Sequence, residues 1–292
     1  MSFGPHLLLA LLEGVVGAFV LALTALGLSL VFGVMRIVNV AHGEFFMLGA
    51  VLAWACSSLA GAPLAGFALA LVVAPLVVGA VALAADWLIL RRLDYQPEGT
   101  LVATIGLLYI LQQAVLSLYG ADARPVAAPL YFAVSFPWFG YSGYKLLVCA
   151  IGSILLGAVW WLLARTTLGL YMRAAQQDLE IAQAFGVPAR RIYTAVFALG
   201  AMLAAAGGVL VVPIRQAHYL MGLDPLLLSF TVVILGGLGS VQGTLVAAFV
   251  VGIADGVLSV FFSPTLAKIV AMLLVAVVLI VRPAGLFARE RD

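Results

Sequence analysis

Charge is what this sequence has least of. Of its 292 residues, 9% are Asp, Glu, Lys or Arg and 65% are hydrophobic, whereas a soluble domain carries about 25% charged residues. No water-facing surface of ordinary composition can be assembled from that list, which excludes a soluble globular protein. Lysine is nearly missing: Lys145 and Lys268 are the two, preceded by Tyr144 and Ala267. A phosphate-binding loop needs Gly-Lys followed by Ser or Thr, so hydrolysis of ATP by that chemistry is not expected of this chain. A net charge of +2 and the lack of any basic tract exclude nucleic acid as a partner. Cys56 and Cys149 lie in or beside apolar runs and read as small buried hydrophobes, not as a disulfide or metal framework. Three scattered histidines, with no Gly-x-Ser-x-Gly and no His-Glu-x-x-His, leave no catalytic residue, no metal site and no cofactor to expect.

What the chain does have is long apolar runs. A bilayer core of about 30 Å takes roughly 20 apolar residues per helix. The runs that qualify or nearly do are Leu7–Phe32, Phe45–Leu59, Leu64–Leu90, Leu101–Tyr119, Leu146–Ala164, Ile192–Val212, Leu226–Leu238, Thr244–Phe262 and Leu266–Val281. Lipid leaves no partner for a bare backbone, so spans of this length are helices. The expected fold is an all-α polytopic membrane bundle of about 8–9 transmembrane helices, one permease domain over 1–292. The run from Leu7 is too long for a cleaved signal segment and is expected to stay as a span. Leu226–Leu238 is short enough to be broken or re-entrant.

Arginines set the expected orientation. Arg91 and Arg92 follow the third run, Arg165, Arg173, Arg190 and Arg191 follow the fifth, and Arg282, Arg289 and Arg291 close the chain. These segments are expected in the cytoplasm, which puts the C-terminus there and the N-terminus outside.

The longest polar stretch, "RTTLGLYMRAAQQDLEIAQAFGVPARRI", lies within the second of these segments. Met172, Ala175, Leu179, Ala182 and Phe185 fall at helical spacing and predict one apolar stripe, with Arg173, Asp178 and Glu180 among the residues covering the other faces. Gly186 is placed to end that helix in a left-handed cap, and Pro188 stops its continuation. Such a helix suits the groove of a soluble partner or the bilayer surface; its pattern alone leaves both open.

Two polar interruptions remain. "NVAHGE", Asn39 to Glu44, and "GGLGSVQG", Gly236 to Gly243, each break hydrocarbon and each run straight into a helix start. Laid over one another they align His42 with Gln242, Gly43 with Gly243 and Glu44 with Thr244. Paired glycine-interrupted segments mark a transport path and an internal repeat, and polar groups at that depth must face protein or water. Candidate path residues are therefore Asn39, His42, Gly43, Glu44, Gly236, Gly237, Gly239, Ser240, Gln242, Gly243 and, mid-run, Asp255. The count of spans places both glycine segments on the same side, whereas an inverted repeat needs opposite sides. A hydrogen-bonded buried histidine and a glutamate capping its own helix are the alternatives for His42 and Glu44. For Asp255 the alternatives are packing within the bundle and a proton relay.

Three blocks in order, "GLSLVFGVMRIVNVAHGEFFMLGA", "EIAQAFG" and "LGGLGSVQGTLVAAFVVGIADGV", with the closing "RPAGLF", resemble the permease of branched-chain amino acid ABC importers, the LivH class, over nearly the whole chain. The second block matches the E-x-A-x-x-x-G core by which such permeases dock on their ATPases. The resemblance therefore implies docking through Arg173, Asp178, Glu180, Ala182, Phe185, Gly186 and Pro188. It further implies a bacterial inner-membrane importer subunit working by alternating access. Its partners would be a second homologous permease, two ATP-binding subunits that use the ATP, and an extracytoplasmic substrate-binding protein. The rival readings are a proton-coupled carrier using Asp255 or Glu13, a small-solute channel and a membrane-embedded enzyme.

Overall fold

The computed structural model describes residues 3–281; the arginines at 282, 289 and 291 and the 282–287 ending lie outside them. Every apolar run becomes a helix. The order is α1 (Phe3–Met35), α2 (His42–Ala60), α3 (Pro63–Leu88), a 3-10 turn (Leu90–Leu93), α4 (Pro97–Tyr119), a small hairpin of β1 (Ala133–Ser135) and β2 (Gly140–Ser142), and α5 (Gly143–Arg165). Then follow α6 (Thr167–Gln177), α7 (Leu179–Ala184), α8 (Ala189–Val211), α9 (Leu223–Gly236), α10 (Val241–Phe261) and α11 (Pro264–Val281). Proline opens α3 and α4 near their first position, where its missing N–H removes no helical bond. Among the described residues, seven helices are long and apolar enough to cross a membrane, and α9 and α11 are shorter apolar helices. At 14 residues, α9 is about 21 Å long.

Helix α1 is the axis of the bundle. Its residues from Ala18 to Leu30 are buried with the single exception of Phe19, and α8 and α10 lie against it at backbone distance. A methyl group on Gly27 would sit 2.5 Å from the Gly200 carbonyl oxygen, and one on Gly14 would sit 2.7 Å from the Ile253 Cα. Small residues permit this approach, which is what joins helices where no hydrophobic force from water acts.

The pairings fix direction. Gly14 meets Ile253, while Gly33 meets Gly239, so α10 runs antiparallel to α1. Asp86 and Thr194 are hydrogen bonded near the end of α3 and the start of α8, and Gly79 faces Met202, so α3 is antiparallel to α8. One end of the bundle therefore carries α6, α7, the Leu90–Leu93 turn and the turn at 237–240. The opposite, far end carries the connections 120–142 and 212–222. There Arg124 exchanges backbone hydrogen bonds with Ala217 and places its guanidinium 4.4 Å from the Trp54 ring and 4.5 Å from Tyr119. That cation stacked on two rings ties the 120–142 connection to α2 and α4, and the backbone pair with Ala217 joins the two far-end loops.

One element departs from its sequence pattern. The predicted single helix over 173–188 is two helices, because Asp178 is extended (φ −152°, ψ 113°) and its side chain accepts a hydrogen bond from Ile181 N. An aspartate that bonds the backbone two or three residues on competes with helix continuation. The predicted stripe breaks with it. Met172, Ala175 and Ala182 are buried, but Phe185 is 86% exposed.

Candidate translocation site

The polar interruption after α1 is a return into the bundle. Arg36 takes a left-handed conformation (φ 56°), helical hydrogen bonding stops, and 36–41 run back along α1 and α4. Thr104 Oγ1 on α4 accepts a hydrogen bond from Val40 N at 3.3 Å. Helix α2 then starts with His42 Nε2 2.9 Å from the Thr24 carbonyl oxygen. Thr24 lies eleven residues before Met35, so α2 begins about 16 Å up from the end of α1. Irregular backbone at that depth stands only inside protein, and here it is enclosed: Ile37, Asn39, His42 and Glu44 are all at most 1% exposed.

Each polar group there has a definite surrounding. His42 is held by the Thr24 carbonyl, leaving Nδ1 without a protein partner. Glu44 does not cap its own helix; Oε1 accepts from Gln112 Nε2 of α4 at 2.9 Å, and Oε2 is unpartnered. Neither side-chain atom of Asn39 has a partner. Gly43 packs on Gly222, the residue before α9, which explains why α9 is short: it starts where α2 starts, below the far end.

The second glycine segment lies elsewhere. Gly237 (φ 89°) and Gly239 (φ 81°) turn the chain between α9 and α10. A methyl group on Gly239 would sit 2.7 Å from Gly33 Cα and 2.8 Å from Gln176 Nε2, and that amide donates to the Gly239 carbonyl oxygen at 2.6 Å. Gly236 packs on Gly243, Ser240 Oγ accepts from Gly243 N to cap α10, and Thr244 Oγ1 bonds Ser29 Oγ at 2.9 Å. Gln242, aligned in sequence with buried His42, is exposed. Helices α2 and α10 both run from their glycine toward the far end, so these two segments are not related by inversion, and they start at different depths along α1.

Asp255 is in a third place. With Glu13, Arg215, His218, Asp224 and Lys268 it borders a far-end cavity of about 600 Å3 whose depth is reached at Thr24 and Phe46. The sequence-predicted path residues are thus not one cluster. They occupy three levels along α1: Asp255 beside Gly256 and Gly14, His42 beside Thr24, and Gly239 beside Gly33. Sequence reasoning missed Arg215. It follows an apolar run like any interfacial arginine, and only the fold turns it toward Asp255.

At the other end, Arg173, Asp178, Glu180, Gly186 and Pro188 are exposed and Ala182 is buried beneath them. Gly186 does take the left-handed conformation (φ 86°), and Val187 N returns to the Ala182 carbonyl. Ile181 and Phe185, 57% and 86% exposed, stand four residues apart on one face.

A helical bundle with chain breaks inside it, a charged cavity at one end and a capped helix pair at the other has the makings of a membrane permease. The family described as the permease component of branched-chain amino acid transport systems matches residues 10–281, and the chain belongs to it. The chain is 28% identical to the high-affinity branched-chain amino acid transport permease BraD of Pseudomonas aeruginosa, covering 97% of this chain and 96% of that protein. It is 27% identical to LivH of Escherichia coli K12, at the same coverage. Among solved structures, PsaBC from Streptococcus pneumoniae, in complex with Fab, shares the fold at a TM-score of 0.52 and 11% identity, over 95% of this chain and 92% of that one. The protein is a multi-pass membrane permease.

Proposed function

We propose that the chain is half of the solute path of an ATP-binding-cassette importer of the bacterial inner membrane, with α6 and α7 in the cytoplasm. It would pass branched-chain amino acids or related small solutes. The relatives' names supply that substrate class, and the arginines that follow α3 and α5 supply the orientation. The path would run from the far-end cavity, past Thr24 and Phe46, to the Gly33–Gly239–Gln176 contact. In the described state that last contact is closed at backbone distance. The partners would be a second permease of this kind, two ATP-binding subunits and an external binding protein.

The observation that carries this reading is the exposed pair Ile181 and Phe185 on a helix capped at both ends, by Asp178 and by Gly186. Two large apolar side chains held rigid over a buried Ala182 suit a partner's groove. Pushed by ATP-driven closure, α7 would move with α6, whose Gln176 is bonded to the Gly239 turn, so force would reach the closed end of the path directly.

The test is Ile181→Glu with Phe185→Glu. Both side chains are exposed, so the chain should still fold, while co-purification of the ATP-binding subunits and ATP-driven uptake fall at least about tenfold, as loss of an interface anchor does. Uptake at the wild-type rate would overturn docking at α7. Uptake that continues without ATP and stops when the proton gradient is collapsed would replace the importer with a proton-coupled carrier.

A further inference from the structure

The far-end cavity holds charge that its own ion pairs leave over. Six ionisable side chains border it: Glu13, Arg215, His218, Asp224, Asp255 and Lys268. Glu13 is taken by Lys145, and Asp224 by Lys268 at 2.6 Å. Among the described residues, Arg215 and Asp255 are in no ion pair, with each other or with any other group. Arg215 comes from the chain just past α8 and Asp255 from the middle of α10. Arg215 and Asp255 thus border the same space unpaired, together with His218, which is also in no ion pair among the described residues. The cavity's lining also includes apolar Val20, Leu21, Phe46 and Leu228.

A carboxylate without a partner, half-buried among membrane helices as Asp255 is, is costly and marks a ligand path, and Arg215 is the exposed cation that borders the same cavity. A ligand that satisfies both must carry a negative and a positive group on one small frame, with a hydrophobic remainder. The guanidinium fork matches a carboxylate in two parallel hydrogen bonds, and Asp255 matches an ammonium group. A cavity of about 600 Å3 is in the range of small-molecule sites, ~300–1,000 Å3, and leaves room for water around such a ligand.

We propose that this cavity is a transient binding site for a zwitterionic amino acid with an aliphatic side chain, its carboxylate on Arg215, its ammonium on Asp255 and its side chain on Val20, Leu21 and Phe46. The proposal rests on the importer reading and sharpens it. The permease itself selects at its entrance, instead of accepting whatever a binding protein delivers. Sugars, urea and simple amides leave one or both charges unmatched, and a site built for a polar group rejects analogues that lack it far more strongly than it rejects a change in apolar size.

The experiment uses the assembled transporter with its companion subunits and without binding protein, and measures binding by calorimetry for three probes. These are L-leucine, leucinamide, which lacks the carboxylate, and 4-methylpentanoate, which lacks the amine. The wild-type complex should bind L-leucine at least about tenfold more tightly than either analogue, the loss expected for one charge-assisted contact. Arg215→Gln should erase the preference over leucinamide and keep that over 4-methylpentanoate; Asp255→Asn should do the reverse. A variant that merely loosened the bundle would weaken all three probes together. If either variant fails to fold, the wild-type comparison decides alone. Equal or absent binding of the three probes overturns the site, as does an unchanged preference in both variants. ATP-driven uptake by the wild-type complex with a binding protein is scored separately. Uptake without probe discrimination removes this site and leaves the importer reading intact, whereas no ATP-driven uptake of any solute removes the importer reading.

Discussion

Single residues in this protein act through partners on distant helices. Glu44 is buried in α2 and one of its oxygens is held by Gln112 of α4; Asp86 is buried in α3 and receives Arg91 and, from α8, Thr194. A polar group stripped of its partner in the interior costs roughly 1–3 kcal/mol. Gln112→Leu should therefore lower the thermal unfolding midpoint in detergent by an amount equivalent to about 1–3 kcal/mol, while Gln113→Leu, one position along, should leave it nearly unchanged. A midpoint for Gln112→Leu equal to wild type would mean that the Glu44 contact contributes nothing. Thr194→Val should likewise cost about 1 kcal/mol, read by the same unfolding curve, since Asp86 would keep Arg91 alone. The sequence made Glu44 and His42 conspicuous by residue type and depth, and Asp86 is a carboxylate in an apolar run of the same kind. It could not identify Gln112 or Thr194 as their partners, because hydrogen bonds across 68 and 108 residues leave no local trace.

At the scale of elements, close helix contact rests on absent side chains. Gly27 lies where α1 meets the Gly200 backbone, and Gly157 of α5 has nothing within 4 Å of its virtual Cβ. Gly27→Leu should push α1 off α8 and cost several kcal/mol, at or above the roughly 1–3 kcal/mol seen for overpacking, with loss of monodisperse protein on size exclusion. Gly157→Leu should be tolerated. Equal behaviour of the two would refute the backbone-distance contact. The α6–α7 break has a different origin. Met172, Ala175 and Ala182 are buried as helical spacing expects, but they lie on two helices, because Asp178, a polar face residue in that pattern, has a carboxylate that caps a new helix. Periodicity reports which face a residue is on; it does not report whether the backbone stays helical between two good turns. Asp178→Ala should remove that cap at a cost of about 1 kcal/mol and weaken coupling by freeing α7 from its fixed direction.

For the molecule as a whole, α1 works as a ruler along which three levels are set: the charged cavity, the start of α2, and the closed turn at Gly239. Between Gly14 and Gly33 these span about 29 Å at helical rise, close to the thickness of a bilayer core. A path closed at one level and open at another is what alternating access requires. Ser259 borders the far-end cavity. Ser259→Cys should react with a membrane-impermeant thiol reagent added from outside, in the resting transporter. Trapping the ATP-binding subunits in their closed dimer should slow that reaction at least about tenfold, as expected for a two-state gate. Reaction only from the cytoplasmic side would reverse the proposed orientation, and an unchanged rate on trapping would remove this cavity from the moving path.

Composition and periodicity determined what kind of object this is. A chain of 65% hydrophobic and 9% charged residues has no choice but lipid, and lipid allows a run of 20 apolar residues only the helix, so every span could be placed within a few residues. Local chemistry also foretold the left-handed turn at Gly186 and the break before His42. What the tertiary structure alone decided is which polar groups meet. The chain re-enters the bundle at 36–41, which places His42 beside Thr24 and far from Gly239, and the fold turns Arg215 and Asp255 toward one cavity while Glu13 and Asp224 find lysines. The physical reason is that burial and helix formation are set by nearby residues and the solvent. The distance between two charges is set by how whole helices pack, and here that packing depends on glycines whose contacts lie as far apart in sequence as Gly33 and Gly239.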